Sequence, residues 1–406
     1  DNLTIVLKCG HIPTVPHRAH EKRMRTRHNR TVESTVISSR RVLLTDGQFH
    51  AARIELSQGR IRSISALGHD ETPTTDLTLA AGFIDLQVNG IDDVDVWSTA
   101  LAHDSVAWQR LNNLLLDQGV TSWCPTLVTA PLDWYRTAID FVTSHSDVTG
   151  IRYVTGTPHV IGVHLEGPFL GNAIGAHRSQ YVCEPNTKWL YEHADGVALM
   201  TLGAEIIGAV EACEVLAAHG CKVSIGHSRP TRQQFDDCRR AGATLVTHLF
   251  NAMSGVHHRE PGLATWALTD DSMYASLIAD GVHVVPETIA LAFAAKPDKM
   301  VLVTDAVAWR SGTAGKIQLV MRDGAPRLED GTLAGSVVTM SEAVKVCVNQ
   351  GKVQLNQALL AASTHPADVM GLTDRGRLQS GCHADLVGLN QDLDVQAVWV
   401  QGQRVR

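Results

Sequence analysis

The feature that most constrains this chain is a rhythm. Short apolar, β-branched runs break off at Asn89, Thr126, Glu166, Leu202, His227, His248, Asp280 and Asp305, at intervals of 21 to 40 residues. Between them lie stretches of helical periodicity, such as DSVAWQRLNNLLLDQG (104–119) and EIIGAVEACEVLAAHG (205–220), the second closed by Gly220 as a C-cap. Eight strands alternating with helices predict an α/β chain built as a (β/α)8 TIM-like barrel. No self-similarity accompanies the spacing, which argues against a repeat solenoid.

The flanks have a different pattern. RVLLTDGQFHAARIELSQGRIRSI (41–64) alternates apolar and polar residues and turns at Asp46-Gly47 and Gln58-Gly59; GRLQSGCHADLVGLNQDLDVQAVWVQGQRV (376–405) does the same at the far end. They predict one small β-domain from both chain ends, 39–81 with 366–406, around a barrel over 82–365. Residues 1–41 hold nine Lys/Arg against three Asp/Glu, so +6, which leaves −13 for the rest of a chain of net charge −7. Residues 1–38, with HRAHEKRMRTRHNR (17–30), read as a basic, unstructured tail or a trimmed start rather than an anion-binding arm. The acidic body argues against nucleic acid as the main partner. No apolar run is long enough to span a membrane. The eight cysteines are scattered, with no C-x-x-C pair, as expected of reduced thiols in a cytoplasmic protein.

In such a barrel the chemistry sits where strands end. The third run ends in His164 and Glu166, the fifth in His227, the sixth in His248 and the eighth in Asp305. One carboxylate and two imidazoles on one rim, Glu166, His227 and His248, supply three ligands for a divalent metal and leave a fourth position for water. Asp305, left off the metal, can take the water's proton and return it to a leaving group. His164 shares a face with Glu166 and is either its partner or a core histidine.

EGPFLGNAIGAHRSQ (166–180) is too glycine-rich for helix and reads as a mobile active-site loop. It carries His177, an oxyanion donor or substrate contact, or else a solvated loop histidine. In HLFNAMSGVHHREPG (248–262), Asn251 and Ala252 can offer an amide and a backbone N–H to an anion. Arg259 can clamp a phosphate bidentately, or simply pair with Glu260. IADGVHV (278–284) puts Asp280, Gly281 and His283 at the seventh strand's end, and GTLAGS (331–336) is a second glycine-rich loop able to face a ligand.

Taken together, GFIDLQVNG, HLEGPF, GHS, THLFNAM, REPG, ADGVH, VTDA and GTLAGS occur in the order of the N-acetylglucosamine-6-phosphate deacetylase family of the amidohydrolase superfamily, which residues 40–405 resemble. The resemblance implies a (β/α)8 barrel with a small β-sandwich. It also implies hydrolysis of the acetamide of N-acetyl-D-glucosamine 6-phosphate. It implies Glu166, His227 and His248 as metal ligands and Asp305 as proton shuttle. The implied substrate contacts are Ala176, His177, Asn251, Ala252, Arg259, Asp280, Gly281, Val282, His283, Leu333, Ala334 and Gly335. It further implies a homodimer, with Arg259 reaching the neighbouring subunit's phosphate. Ile174 stands where members often carry lysine, and NGIDDVDVW (89–97) replaces a more glycine-rich stretch. The rivals are an N-acetylgalactosamine-6-phosphate deacetylase, another amidohydrolase, and a catalytically dead barrel serving as a binding protein.

The first strand ends in Gln87 and Asn89 where many metal-dependent hydrolases carry His-x-His. Amides are weak zinc ligands beside imidazole and carboxylate. The sequence therefore predicts one metal per subunit, zinc first, with Fe2+, Co2+ or Mn2+ also suiting the ligands. Gln87 and Asn89 are expected as hydrogen-bond partners in the space of a lost second metal.

Overall fold

The computed structural model describes residues 34–145, 156–315 and 317–406; the basic stretch 17–30 and most of the tail expected over 1–38 lie outside the described residues. Eight parallel strands form the central sheet: β1 (Phe83–Val88), β2 (Val120–Val128), β3 (Val163–Glu166), β4 (Val197–Leu202), β5 (Lys222–Ile225), β6 (Ala243–Val246), β7 (Tyr274–Ile278) and β8 (Met300–Val303). They neighbour one another in chain order, and a short strand, His159–Val160, adds to β2. The two ends meet just beyond β8, where Asp305 N donates to Gln87 O at 2.9 Å and Asn89 N to Ala306 O at 2.8 Å. β1 and β2 are buried along their whole length, as strands with covered faces must be.

The helices between strands follow local signals. Ser105–Asp117 starts where the Asp104 carboxylate accepts from Val106 N and Ala107 N, both at 3.0 Å. The helix patterned over 205–220 begins only at Ala209. Glu205 is otherwise engaged: its carboxylate accepts from Asn172 N, Arg229 N and the Ser228 hydroxyl, and Gly208, at φ 82°, turns the chain into the helix. Gly220 follows the last turn at φ 78°, the left-handed conformation that ends helices.

The chain ends build a separate seven-stranded sheet, in the order Gln403–Arg404, Val395–Val400, Leu386–Leu389, Thr78–Ala81, Thr35–Leu43, Phe49–Ser57, Arg60–Ala66. Its apolar cluster, including Ile37, Ile54, Leu79, Leu386 and Trp399, is distinct from the barrel's. Strand Thr35–Leu43 starts inside the stretch assigned to the tail, because Ile37 joins this cluster while Thr35–Ser39 pair with Ala52–Leu56. At the other boundary, helix Thr364–Met370 runs past residue 365 and still buries Ala367 and Val369 in the barrel's cluster. Among the described residues no helix is long and apolar enough to cross a membrane.

Candidate active site

Glu166 is the last residue of β3, while His227, His248 and Asp305 each lie just past the end of β5, β6 and β8. These last three hold positive φ, 49°, 31° and 48°, a region that L side chains rarely occupy. Neighbours hold them there: Gly171 N donates to His227 O at 3.0 Å, His248 N to Ser276 Oγ at 2.7 Å, and Asp305 N to Gln87 O at 2.9 Å. Strain of this kind persists only where the surroundings over-determine it.

The three side chains expected as ligands meet at one point. His227 Nε2 and His248 Nε2 each lie 3.1 Å from Glu166 Oε1 and 3.1 Å from each other. His227 Nδ1 lies 3.0 Å from the Ala173 carbonyl oxygen, which can only accept. That nitrogen therefore carries hydrogen, and in the neutral ring Nε2 presents a lone pair. Two imidazole nitrogens and one carboxylate oxygen, buried and convergent, are the donor set a zinc-like divalent ion takes. Glu166, His177 and His227 also bring one donor atom each within 4.8 Å. His177 is the outlier of that alternative trio, because its Nε2 is 3.9 Å from the other carboxylate oxygen, Oε2. His177 is buried rather than solvated, with Nδ1 2.9 Å from Thr129 Oγ1.

Asp305 stands beside the trio. Its Oδ1 accepts from Gln87 Nε2 at 3.0 Å and Asn89 Nδ2 at 2.7 Å, and Gln87 Nε2 also donates to Glu166 Oε1 at 3.0 Å. The Gln87 amide thus bridges the two carboxylates, and the Asn89 amide adds a second donor to Asp305. Asn89 Oδ1 has no partner among the described residues. Burial, reinforced by the Glu166 charge, pushes Asp305 up to about 8. Burial pushes Glu166 the same way, but the His227 and His248 imidazoles beside it outweigh burial and hold that carboxyl well below its usual range. Burial also keeps His177 neutral, down to about 3.

A polar layer lies beneath. His164 does not join the trio; its Nδ1 is 3.1 Å from Thr126 Oγ1 and its Nε2 2.9 Å from Thr201 Oγ1, and burial holds it down to about 4. Asp85 accepts from the Thr304 hydroxyl at 2.6 Å and from Gln87 N and Thr304 N at 3.2 Å. It therefore fixes the backbone that carries both Gln87 and Asp305.

Above the floor opens a cavity of about 420 Å³. Of the expected substrate contacts, Ala176, His177, Asn251, Ala252, His283, Leu333, Ala334 and Gly335 line it. Asp280, Gly281 and Val282 do not. Asp280 instead holds the lining His283, with Oδ2 2.7 Å from its Nδ1 and Oδ1 accepting from its backbone N at 2.7 Å. Arg259 is exposed, does not line this cavity, and makes no ion pair with Glu260 or any other described residue. The loop over 166–180 is packed rather than loose: Phe169, Leu170, Ala173 and His177 are buried. Sequence reasoning missed two residues here, Glu205 and Arg229. Arg229 lines the cavity, and its one sequence signal is that it directly follows GHS.

Residues 78–405 match the amidohydrolase family. The chain is 37% identical over 350 residues to the N-acetylglucosamine-6-phosphate deacetylase of Mus musculus, covering 80% of this chain and 83% of that protein. It is 32% identical over 382 residues to the N-acetylgalactosamine-6-phosphate deacetylase of Escherichia coli O157:H7, covering 91% of this chain and 98% of that one. The crystal structure of N-acetylglucosamine-6-phosphate deacetylase from Thermotoga maritima is similar with a TM-score of 0.83 at 28% identity, over 92% of this chain and 99% of that one. A mutant of the Mycobacterium smegmatis deacetylase in complex with N-acetyl-D-glucosamine-6-phosphate gives 0.83 at 27%, over 92% and 99%.

Proposed function

The chain belongs to the amidohydrolase family, and on that premise we propose that it hydrolyses the acetamide of N-acetyl-D-glucosamine 6-phosphate to D-glucosamine 6-phosphate and acetate. The observation that carries this is the floor of the cavity, where the Glu166–His227–His248 trio stands beside an Asp305 held by two amides. Glu166, His227 and His248 would hold one divalent ion, zinc first. When bound, that ion supplies Lewis-acid polarisation of the acetamide carbonyl and a lowered pKa for water.

The chain's own groups handle protons and orientation. Both acceptor directions of Asp305 Oδ1 are taken by the Gln87 and Asn89 amides, so Oδ2 is the oxygen that takes the attacking water's proton. The same oxygen then gives it to the departing amine. His177, kept neutral by burial, donates from Nε2 to the developing oxyanion once the Thr129 hydroxyl turns its proton from Glu166 O, at 3.2 Å, to His177 Nδ1, at 2.9 Å. Asn251 and Ala252 meet the anionic end of the sugar at the rim, and binding there orients the acetamide at the floor. The exposed Arg259 completes a neighbouring copy's site in a homodimer. With reduced cysteines and no need for membrane or nucleic acid, the enzyme works in the cytoplasm on a soluble phosphorylated amino sugar.

A second reading is favoured by the 98% coverage of the galactosamine relative: the 4-epimer, N-acetylgalactosamine 6-phosphate, as substrate. Metal analysis with an acetate-release assay decides between them. The expected result is one ion per chain and fastest release from the glucosamine 6-phosphate derivative. Faster release from the galactosamine epimer would replace the first reading by the second. A folded, metal-loaded protein that released acetate from no N-acetylated sugar would make it a binding protein.

A further inference from the structure

The cavity floor carries two carboxyl groups, Glu166 and Asp305, and the substrate proposed above carries a phosphate. Such a ligand needs positive charge at the end of the pocket away from those carboxylates. Among the described residues that line the cavity, one Lys or Arg is present, Arg229. Its guanidinium makes no hydrogen bond or ion pair with any described residue. Its backbone, by contrast, is fixed: Arg229 N donates at 2.8 Å to Glu205 Oε1, which also accepts from Asn172 N at 2.7 Å. One residue earlier, Ser228 N donates to Ala252 O at 3.1 Å, and Ser228 bridges Met253 in parallel. Arg229 therefore leaves the β5 end beside the Asn251–Ala252 segment, with a rigid base and an uncommitted head.

We infer that Arg229 is a specificity-determining residue that supplies the phosphate-binding cation within the same chain. This rests on the reading of the substrate as a 6-phosphorylated sugar and adds a residue to it. A guanidinium matches phosphate oxygens two at a time, and Arg229, exposed although it lines the cavity, can turn its head to an arriving ligand. Arg259 lies off this cavity, so among the described lining residues Arg229 is the one Lys or Arg that a single chain offers the phosphate, beside Asn251 and Ala252.

The test compares wild type, Arg229→Ala and Arg229→Lys in the metal-loaded enzyme. Initial rates are measured on N-acetylglucosamine with and without its 6-phosphate, and calorimetry follows binding of glucose 6-phosphate. Arg229→Ala should lower the ratio of kcat/KM for the phosphorylated over the unphosphorylated sugar by roughly tenfold or more, mainly through KM. It should weaken glucose 6-phosphate binding by a similar factor, and Arg229→Lys should recover part of both. Equal losses on both sugars, or an unchanged ratio, would overturn the assignment. If wild type released no acetate from either sugar, the reading of the reaction would fall, while the calorimetry would still decide Arg229: undiminished binding in Arg229→Ala would sink it.

Discussion

At the floor of the cavity, every charged group is tied to others by side-chain contacts. Glu166 Oε1 is within 3.1 Å of two imidazole nitrogens and within 3.0 Å of an amide, and Asp305 Oδ1 accepts two amides. At the rim, order comes from the backbone instead. Arg229 and Asn172 are pinned through their N–H groups to Glu205, and the Arg229 head is left free. The floor is preorganised for a reaction whose geometry cannot vary; the rim is built to receive something that arrives. Changes at the floor should therefore act on kcat, and changes at the rim on KM.

The strongest test of that division is Asp305→Asn, which keeps the shape of the floor and removes the proton acceptor. We expect kcat to fall about 10²–10⁴-fold with metal content unchanged. Near-normal kcat would show that another group moves the proton. Next comes Gln87→Leu, which deletes the amide between the two carboxylates without touching either. A loss of about 10–100-fold, carried by kcat, is expected from such a supporting contact; a change in KM alone would erase the distinction between floor and rim. At the rim, Arg259→Ala should raise KM for the phosphorylated sugar roughly tenfold at constant kcat if it serves a neighbouring copy. Loss of dimer in sedimentation together with equal losses on both sugars would make Arg259 an interface residue instead.

The smallest effect belongs below the floor. Burial pushes Asp85 up to about 7, so between about pH 4 and 7 the folded chain keeps a proton that the unfolded chain has released. Stability then falls as pH rises through that window. Asp85→Asn, which cannot ionise and keeps an acceptor for the backbone amides, should flatten this part of the Tm–pH curve. An unaltered slope would mean that Asp85 is ionised in the fold.

The barrel was legible because burial of a strand is a local pattern. Apolar runs that break at Glu166, His227, His248 and Asp305 mark where side chains leave the core, and the spacing between them leaves room for helices. The small β-domain was legible for the same reason, in its alternating flanks. What joins distant parts was not. Gln87 reaches Asp305 across 218 residues only because β8 closes onto β1, and nothing in GFIDLQVNG states that closure. Glu205 sits in a helical pattern, yet its carboxylate is used by two loops, and the helix starts later. Arg229 is one more polar residue after a strand; only the fold shows that it faces a cavity while Arg259, in a stronger motif, does not.

The left-handed backbone at His227, His248 and Asp305 bears on transplantation. Local preference would put glycine or asparagine at such positions. A graft that copied only the four side chains onto another eight-stranded barrel, with ordinary strand ends, would carry the chemistry's names but not its aim. The portable unit is larger. It includes the carbonyl, hydroxyl and amide that hold each turn: Gln87 O under Asp305, Ser276 Oγ under His248, and Gly171 N over His227.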